Sequence, residues 1–121
     1  MFDQYVSIFR EKGLSVTALI QSESQLSSLY GSEKATTIIN NFDTIVFLGS
    51  MDLDTGRNIS VRANRPLEDV LYMPIGSEII FRRGMKPIFT KRYNIFQNEM
   101  YKKITAVYEK HIGKELSQAT R

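Results

Sequence analysis

Two short apolar runs constrain this chain more than any other feature. Val16-Thr17-Ala18-Leu19-Ile20 and Thr44-Ile45-Val46-Phe47-Leu48 are strand-length, carry β-branched residues and lack the polar alternation of a strand with one wet face. Such runs suit strands covered on both faces, so helices have to lie above and below them.

The flanking sequence supplies those helices. Phe2, Tyr5, Val6 and Phe9 recur at helical spacing over Phe2 to Arg10, and Gly13 is placed to stop that helix. Ser22 with Gln25 three residues later has the pattern of a capping box, opening a short helix whose apolar side is Leu26, Leu29 and Tyr30. Ser32 is expected to cap a further helix from Glu33 to Ile39. The polar stretch from Asp52 to Ser60 has helical character, and Pro66 suits the first turn of a helix carrying Leu67, Val70 and Leu71.

Beyond the Pro74-Ile75-Gly76 turn, Ser77 to Arg82 and Pro87 to Thr90 bracket Arg83-Gly84-Met85-Lys86, the pattern of a hairpin. Gln97 to Ile112 predicts a long amphipathic helix with Met100, Tyr101, Ile104, Val107, Tyr108 and Ile112 on one face. Gly113 is expected to stop it, leaving residues 113–121 as a loose tail. The predicted fold class is α/β: the first two strands parallel neighbours or near neighbours, then a C-terminal hairpin and a long C-terminal helix, in one domain spanning residues 1–121.

Composition removes several classes of chemistry. With 121 residues, 42% hydrophobic and 24% charged, the chain has the length and balance of one globular domain. It has no cysteine, which excludes disulfides, thiolate metal sites and a cysteine nucleophile. No apolar run approaches the about 20 residues that cross a bilayer, and Met1-Phe2-Asp3-Gln4 does not begin a signal peptide. The chain is therefore expected to be soluble. A net charge of +3 permits contact with nucleic acid without requiring it.

Ligands of open parallel sheets bind beyond the carboxyl ends of the strands. Gln21-Ser22 and Gly49-Ser50 stand at those two places. The Gln21 amide can donate and accept, as orienting a water or sensing a terminal phosphate requires. Read from the residues alone, capping the next helix is the simpler role for Gln21 and Ser22.

His111 is the one histidine, near the end of the last helix, where a cation suits the helix dipole; a surface position explains it better than a base or ligand. Asp52 and Asp54 suit turn and capping duty better than a metal. No Gly-x-x-x-x-Gly-Lys-Ser/Thr loop is present, and no apolar run ends in paired acids for magnesium. Arg82, Arg83, Lys86, Lys91 and Arg92 cluster around the hairpin, where they can contact phosphates or guard exposed strand edges; the second is the plainer reading.

The order of segments resembles the TraG/TraD-type coupling proteins of type IV secretion. Ala18-Leu19-Ile20-Gln21-Ser22, Ser24-Gln25-Leu26 and Leu29-Tyr30-Gly31 look like that family's strand-to-helix segment. Asn40-Asn41-Phe42-Asp43-Thr44, then Phe47-Leu48-Gly49-Ser50 and Asp52, are similar to its next strand and exit. Leu71 through Pro74, Ile79-Ile80-Phe81-Arg82-Arg83-Gly84, Lys86-Pro87 and Lys91-Arg92-Tyr93-Asn94 match its closing segment. The likeness runs from about Phe9 to Tyr93.

This resemblance implies the C-terminal part of a RecA-like, P-loop NTPase-like motor. The intact protein would form a ring, normally a hexamer, at the cytoplasmic face of the bacterial inner membrane. It would join a relaxase–DNA complex to secretion-channel proteins and move single-stranded DNA with ATP and magnesium. Gln21 would face the terminal phosphate, with Ser22, Gly49 and Ser50 near the nucleotide. Arg10 would reach the nucleotide of an adjacent subunit, and Arg82, Arg83 and Lys86 would be placed for nucleic acid. Lys12 stands where the family often has a second arginine, and the Asp52 to Pro66 stretch is short for the family. The family's phosphate loop and acidic magnesium-binding strand precede the region that matches. A different class of function, a free-standing α/β module that binds a partner protein through the hairpin or the last helix, is also compatible with these residues.

Without the phosphate loop and its lysine, the 121-residue chain alone is expected neither to bind ATP tightly nor to hydrolyse it. Phosphate release by the pure chain with magnesium and ATP is the measurement; metal-dependent turnover would contradict the expectation.

Overall fold

In the computed structural model, which describes residues 2–119, the two expected apolar strands are represented by one strand and one segment without regular structure. Thr44–Phe47 forms strand β1, whereas Val16 to Ile20 has no regular secondary structure and belongs to no strand. The sheet has three strands in the order β1-β2-β3, with β2 at Ser77–Arg82 and β3 at Ile88–Lys91. Both pairings are antiparallel, so no parallel pair forms among the described residues. The reason is local. Val16 to Ile20 has strand composition, but no strand lies beside it to complete a ladder.

The chain falls into two units, Met1–Lys91 and Arg92–Arg121. In the first, helices α1 (Phe2–Phe9), α2 (Glu23–Tyr30) and α3 (Ser32–Asn40) precede β1. Helices α4 (Leu53–Ala63) and α5 (Leu67–Leu71) lie between β1 and β2 in the chain. The predicted hairpin forms, with Ser77 opposite Lys91 and Ile80 opposite Ile88. Gly84, at φ +76, supplies the left-handed residue its turn needs.

Two apolar clusters hold this unit. Phe47, Ile79 and Phe81 point to one sheet face, where Ile59 and Ala63 of α4 and Val70 of α5 cover them. Gly56 is buried at the α4–α5 contact; a Cβ there would stand 2.8 Å from Leu71 Cδ2, so glycine lets α5 come close. The second cluster joins Leu26 of α2 to Ala35 and Ile38 of α3, with Phe2, Tyr30, Ile39 and Phe42 packed around it.

The junction of α2 and α3 departs from expectation. Gly31, not Ser32, stands between the helices. Its N–H donates to Ser27 O and its C=O accepts from Ala35 N, so one residue closes α2 and opens α3. Its φ of +82 with ψ 158 is a conformation that a serine would adopt only under strain.

The second unit holds a 3-10 turn, Ile95–Gln97, and helix α6, Glu99–Ala119. Asn98 Oδ1 accepts from Met100 N and Tyr101 N and so caps α6, while Phe96 and Tyr101 meet edge to face with centroids 5.3 Å apart. The helix does not stop at Gly113 as expected. An interior glycine costs only about 1 kcal/mol relative to alanine, and the helix continues to Ala119.

Ile59, 2% exposed, lies in the sheet-side cluster. Ile59→Ala is expected to destabilise the first unit by about 2–5 kcal/mol, read as a lower urea midpoint with an unchanged slope.

Candidate functional site

The 16–20 segment and β1 both end at one groove. Gln21 and Ser22, and Gly49 and Ser50, line the same concavity of about 470 Å³. The four strand-end positions singled out in the sequence are thus brought together. Gln21 is exposed at its rim. Ser22 is extended at φ −156 and its Oγ accepts from Gln25 N at 3.1 Å, the expected cap of α2. Gly49 takes φ +107, and Ser50 Oγ accepts from Asp52 N at 3.1 Å.

A hydrogen-bonded cluster beneath the groove fixes this geometry. Asp52 caps α4, one carboxylate oxygen accepting from Thr55 N at 3.0 Å and from Thr55 Oγ1 at 2.6 Å. The same oxygen accepts from Ser24 Oγ of α2 at 2.7 Å. Thr55 Oγ1 in turn accepts from Glu23 N at 3.0 Å. Farther along α4, Asn58 Nδ2 donates to Glu23 Oε2. The first turn of α2, directly after Gln21-Ser22, is therefore tied to the first turn of α4, directly after Gly49-Ser50.

The capping expectation for Asp52 holds, but its reach to α2 was not foreseen. The signal was the Asp52-x-x-Thr55 spacing, which marks an N-cap and nothing about its second partner. Asp54 pairs with Arg57 on the same helix at 3.3 Å. Among the described residues no cluster of His, Cys, Asp and Glu could hold a metal ion.

Arg10, expected to act between subunits, pairs with Asp43 at 2.7 Å. Asp43 also meets Arg83 Nε at 3.4 Å, and Arg83 N donates to Asp43 O at 3.0 Å, so one exposed aspartate gathers two of the candidate arginines. Exposed pairs of this kind contribute about 1 kcal/mol or less. Arg82 and Lys86 are exposed at the end of β2 and in the following turn. His111 is exposed on α6.

The groove residues offer the Gln21 amide, hydroxyls and the Glu23 carboxylate in a mostly apolar lining. Its described lining includes no Lys, Arg or His. These residues alone do not fit a nucleoside triphosphate, which needs a backbone-amide cradle and counter-charge.

Comparison with known proteins supplies the class. The family model described as the TraM recognition site of TraD and TraG matches residues 1–63. The chain belongs to this family, as a C-terminal region of a TraG/TraD-type coupling protein. A solved structure of the bacterial conjugative coupling protein TrwB, in an unbound form, shares the fold with a TM-score of 0.65 and 21% identity. The similarity covers 75% of this chain and 27% of that one, so the chain spans about a quarter of its length. No curated protein matches the sequence. No described helix is long and apolar enough to cross a membrane.

The Thr55 and Ser24 hydroxyls, then the Thr55 N–H, hold the Asp52 carboxyl below its ordinary value of 3.8. A depressed carboxyl stabilises the fold above the unfolded-state value, and that contribution is lost as pH falls through the folded-state value. The urea midpoint should therefore drop on acidification below about pH 4, and Asp52→Asn should lower the neutral-pH midpoint and flatten that acid limb. An unchanged acid limb in the variant would remove Asp52 from the pH response.

Proposed function

We propose that this chain is the C-terminal portion of the ATP-driven motor of a conjugative coupling protein, with a RecA-like arrangement completed by residues outside it. The intact protein links a relaxase–DNA complex to the secretion channel and moves single-stranded DNA. The observation that carries this reading is the convergence of Gln21-Ser22 and Gly49-Ser50 on one groove. Open α/β sheets place ligands beyond the carboxyl ends of their strands, and these four residues follow β1 and the strand-like 16–20 segment.

In this reading the division of labour is clear. The triphosphate cradle and the acidic residues for magnesium come from the preceding part of the motor. This chain contributes Gln21, whose amide meets the terminal phosphate or orients the attacking water. Ser22, Gly49 and Ser50 shape the nucleotide's surroundings. Arg10 stands at the subunit boundary of a homo-hexameric ring, held by Asp43 until a neighbour's nucleotide competes for it. Arg82, Arg83 and Lys86 face nucleic acid. The family's description names TraM recognition over residues 1–63, which supports a relaxosome protein of the TraM kind as a partner of the first unit. The intact protein works at the cytoplasmic face of the inner membrane.

In the full-length parent, Gln21→Ala is expected to lower ATP turnover by about 100-fold with nucleotide affinity nearly unchanged. Steady-state hydrolysis together with equilibrium binding of a labelled nucleotide separates the two effects. Turnover that survives the substitution would exclude Gln21 from the chemistry.

A further inference from the structure

Asp43 meets two of the candidate arginines, and both meet it at the same atom. Arg10 Nη2 donates to Oδ1 at 2.7 Å, a full charge-assisted hydrogen bond. Arg83 Nε stands 3.4 Å from that oxygen, too far for a bond of this strength. Among the described residues no other carboxylate pairs with either arginine. Arg83 is kept at hand by other bonds: its backbone N–H donates to Asp43 O at 3.0 Å, and its Nη2 donates to Asn40 O at 3.5 Å. One arginine thus occupies Oδ1 while a second waits beside it.

The three residues come from different parts of the first unit. Arg10 lies in the turn after α1, Asp43 leads into β1, and Arg83 lies in the turn between β2 and β3. Their side chains are 56%, 57% and 60% exposed, so a phosphate from outside can reach either arginine. Charge then limits what the cluster can do. Neither guanidinium gives up its proton near neutral pH, so two arginines and one carboxylate leave a single surplus positive charge. One incoming anion takes that surplus. The arginine left behind is the sole cation beside Asp43 and closes onto the oxygen its competitor has vacated.

We propose that Asp43 is a positioning residue that makes Arg10 and Arg83 alternate. When Arg10 leaves for a phosphate on its side, Arg83 is drawn onto Asp43 and away from its own phosphate. When Arg83 holds a phosphate, Arg10 stays on Asp43. Resting on the motor reading, the two phosphates are those of an adjacent subunit's nucleotide and of single-stranded DNA. Asp43 then couples the two ligands with negative sign: nucleotide engaged by Arg10 loosens the grip at Arg83, and the effect is reciprocal. The backbone bond from Arg83 N to Asp43 O keeps Arg83 in range throughout, so on that side the exchange needs only side-chain rotation.

Two measurements test this. The first uses the 121-residue chain, nitrogen-labelled, and follows the Arg83 Nε–H by nuclear magnetic resonance. Arg10→Gln should slow solvent exchange of that proton by about two- to fivefold, the range an exposed ion pair allows. Asp43→Asn should speed it, and Arg10→Gln added to Asp43→Asn should change nothing more, because the arginines communicate through the carboxylate. Unmoved Ile79 and Phe81 amide signals show that each variant keeps its fold. The second uses the full-length parent and measures its affinity for single-stranded DNA with and without a non-hydrolysable ATP analogue and magnesium. Relative to the nucleotide-free state, DNA binding with the analogue present should be about two- to fivefold tighter in Asp43→Asn than in the wild type. Asp43→Glu should restore the wild-type ratio, a recovery that follows the charge.

An Arg83 signal that ignores Arg10→Gln overturns the sharing of Asp43. An affinity ratio that is the same in the wild type and in Asp43→Asn overturns the alternation. A parent that binds no nucleotide would strike the motor reading and the alternation with it, while the isolated chain still reports whether the two arginines share one carboxylate. The two failures are therefore distinguishable.

Discussion

The first unit depends on one carboxylate oxygen. Asp52 Oδ2 accepts three hydrogen bonds, two from Thr55 on its own helix and one from Ser24 across the groove. Bonds to an ionised acceptor are stronger than neutral ones, and Thr55, 5% exposed, is the one buried polar side chain among the described residues. Its hydroxyl passes the connection on to the Glu23 backbone. The helical and sheet-side clusters share no buried residue, so these bonds stand where a continuous core would otherwise do the joining.

This arrangement explains how a surface with little charge of its own can be functionally placed. Gln21 and Ser22 sit immediately ahead of the clamped turn of α2, and Gly49 and Ser50 immediately ahead of the clamped turn of α4. The clamp therefore sets the distance between the end of β1 and the end of the 16–20 segment, although the two share no ladder. Hydrogen bonds with directional demands hold that spacing better than apolar contact, which tolerates sliding.

The sequence was legible where the signal is local. The hairpin, the Ser22 cap, the Asp52 cap and the helix after Pro66 each follow from turn chemistry or apolar spacing within a few residues. Val16 to Ile20 has the composition of a strand but forms none, because strand propensity describes a fit to neighbours and no strand among the described residues pairs with it. Ser32 lost its capping role because a glycine one position earlier accepts a backbone angle that serine resists. Gly113 failed as a stop because its cost is small beside the continuing helical ladder. At the site, the four strand-end residues were legible from the rule for open sheets. Asp43 gathering Arg10 and Arg83, and Thr55 bridging to Glu23, were not. Those contacts join residues far apart in the chain and leave no periodic trace.

Gly31 has a mechanical consequence. Because it caps both α2 and α3, no linker lies between the two helices, and the pair forms a stiff elbow. A displacement at the Ser22 end of α2 has no slack in which to dissipate. It has to turn α3, and with it the packing against α1 at the far end of the helical cluster. At φ +82 and ψ 158, a residue with a Cβ at position 31 would strain the elbow by about 1–3 kcal/mol. A longer connection would remove the strain and, with it, the leverage.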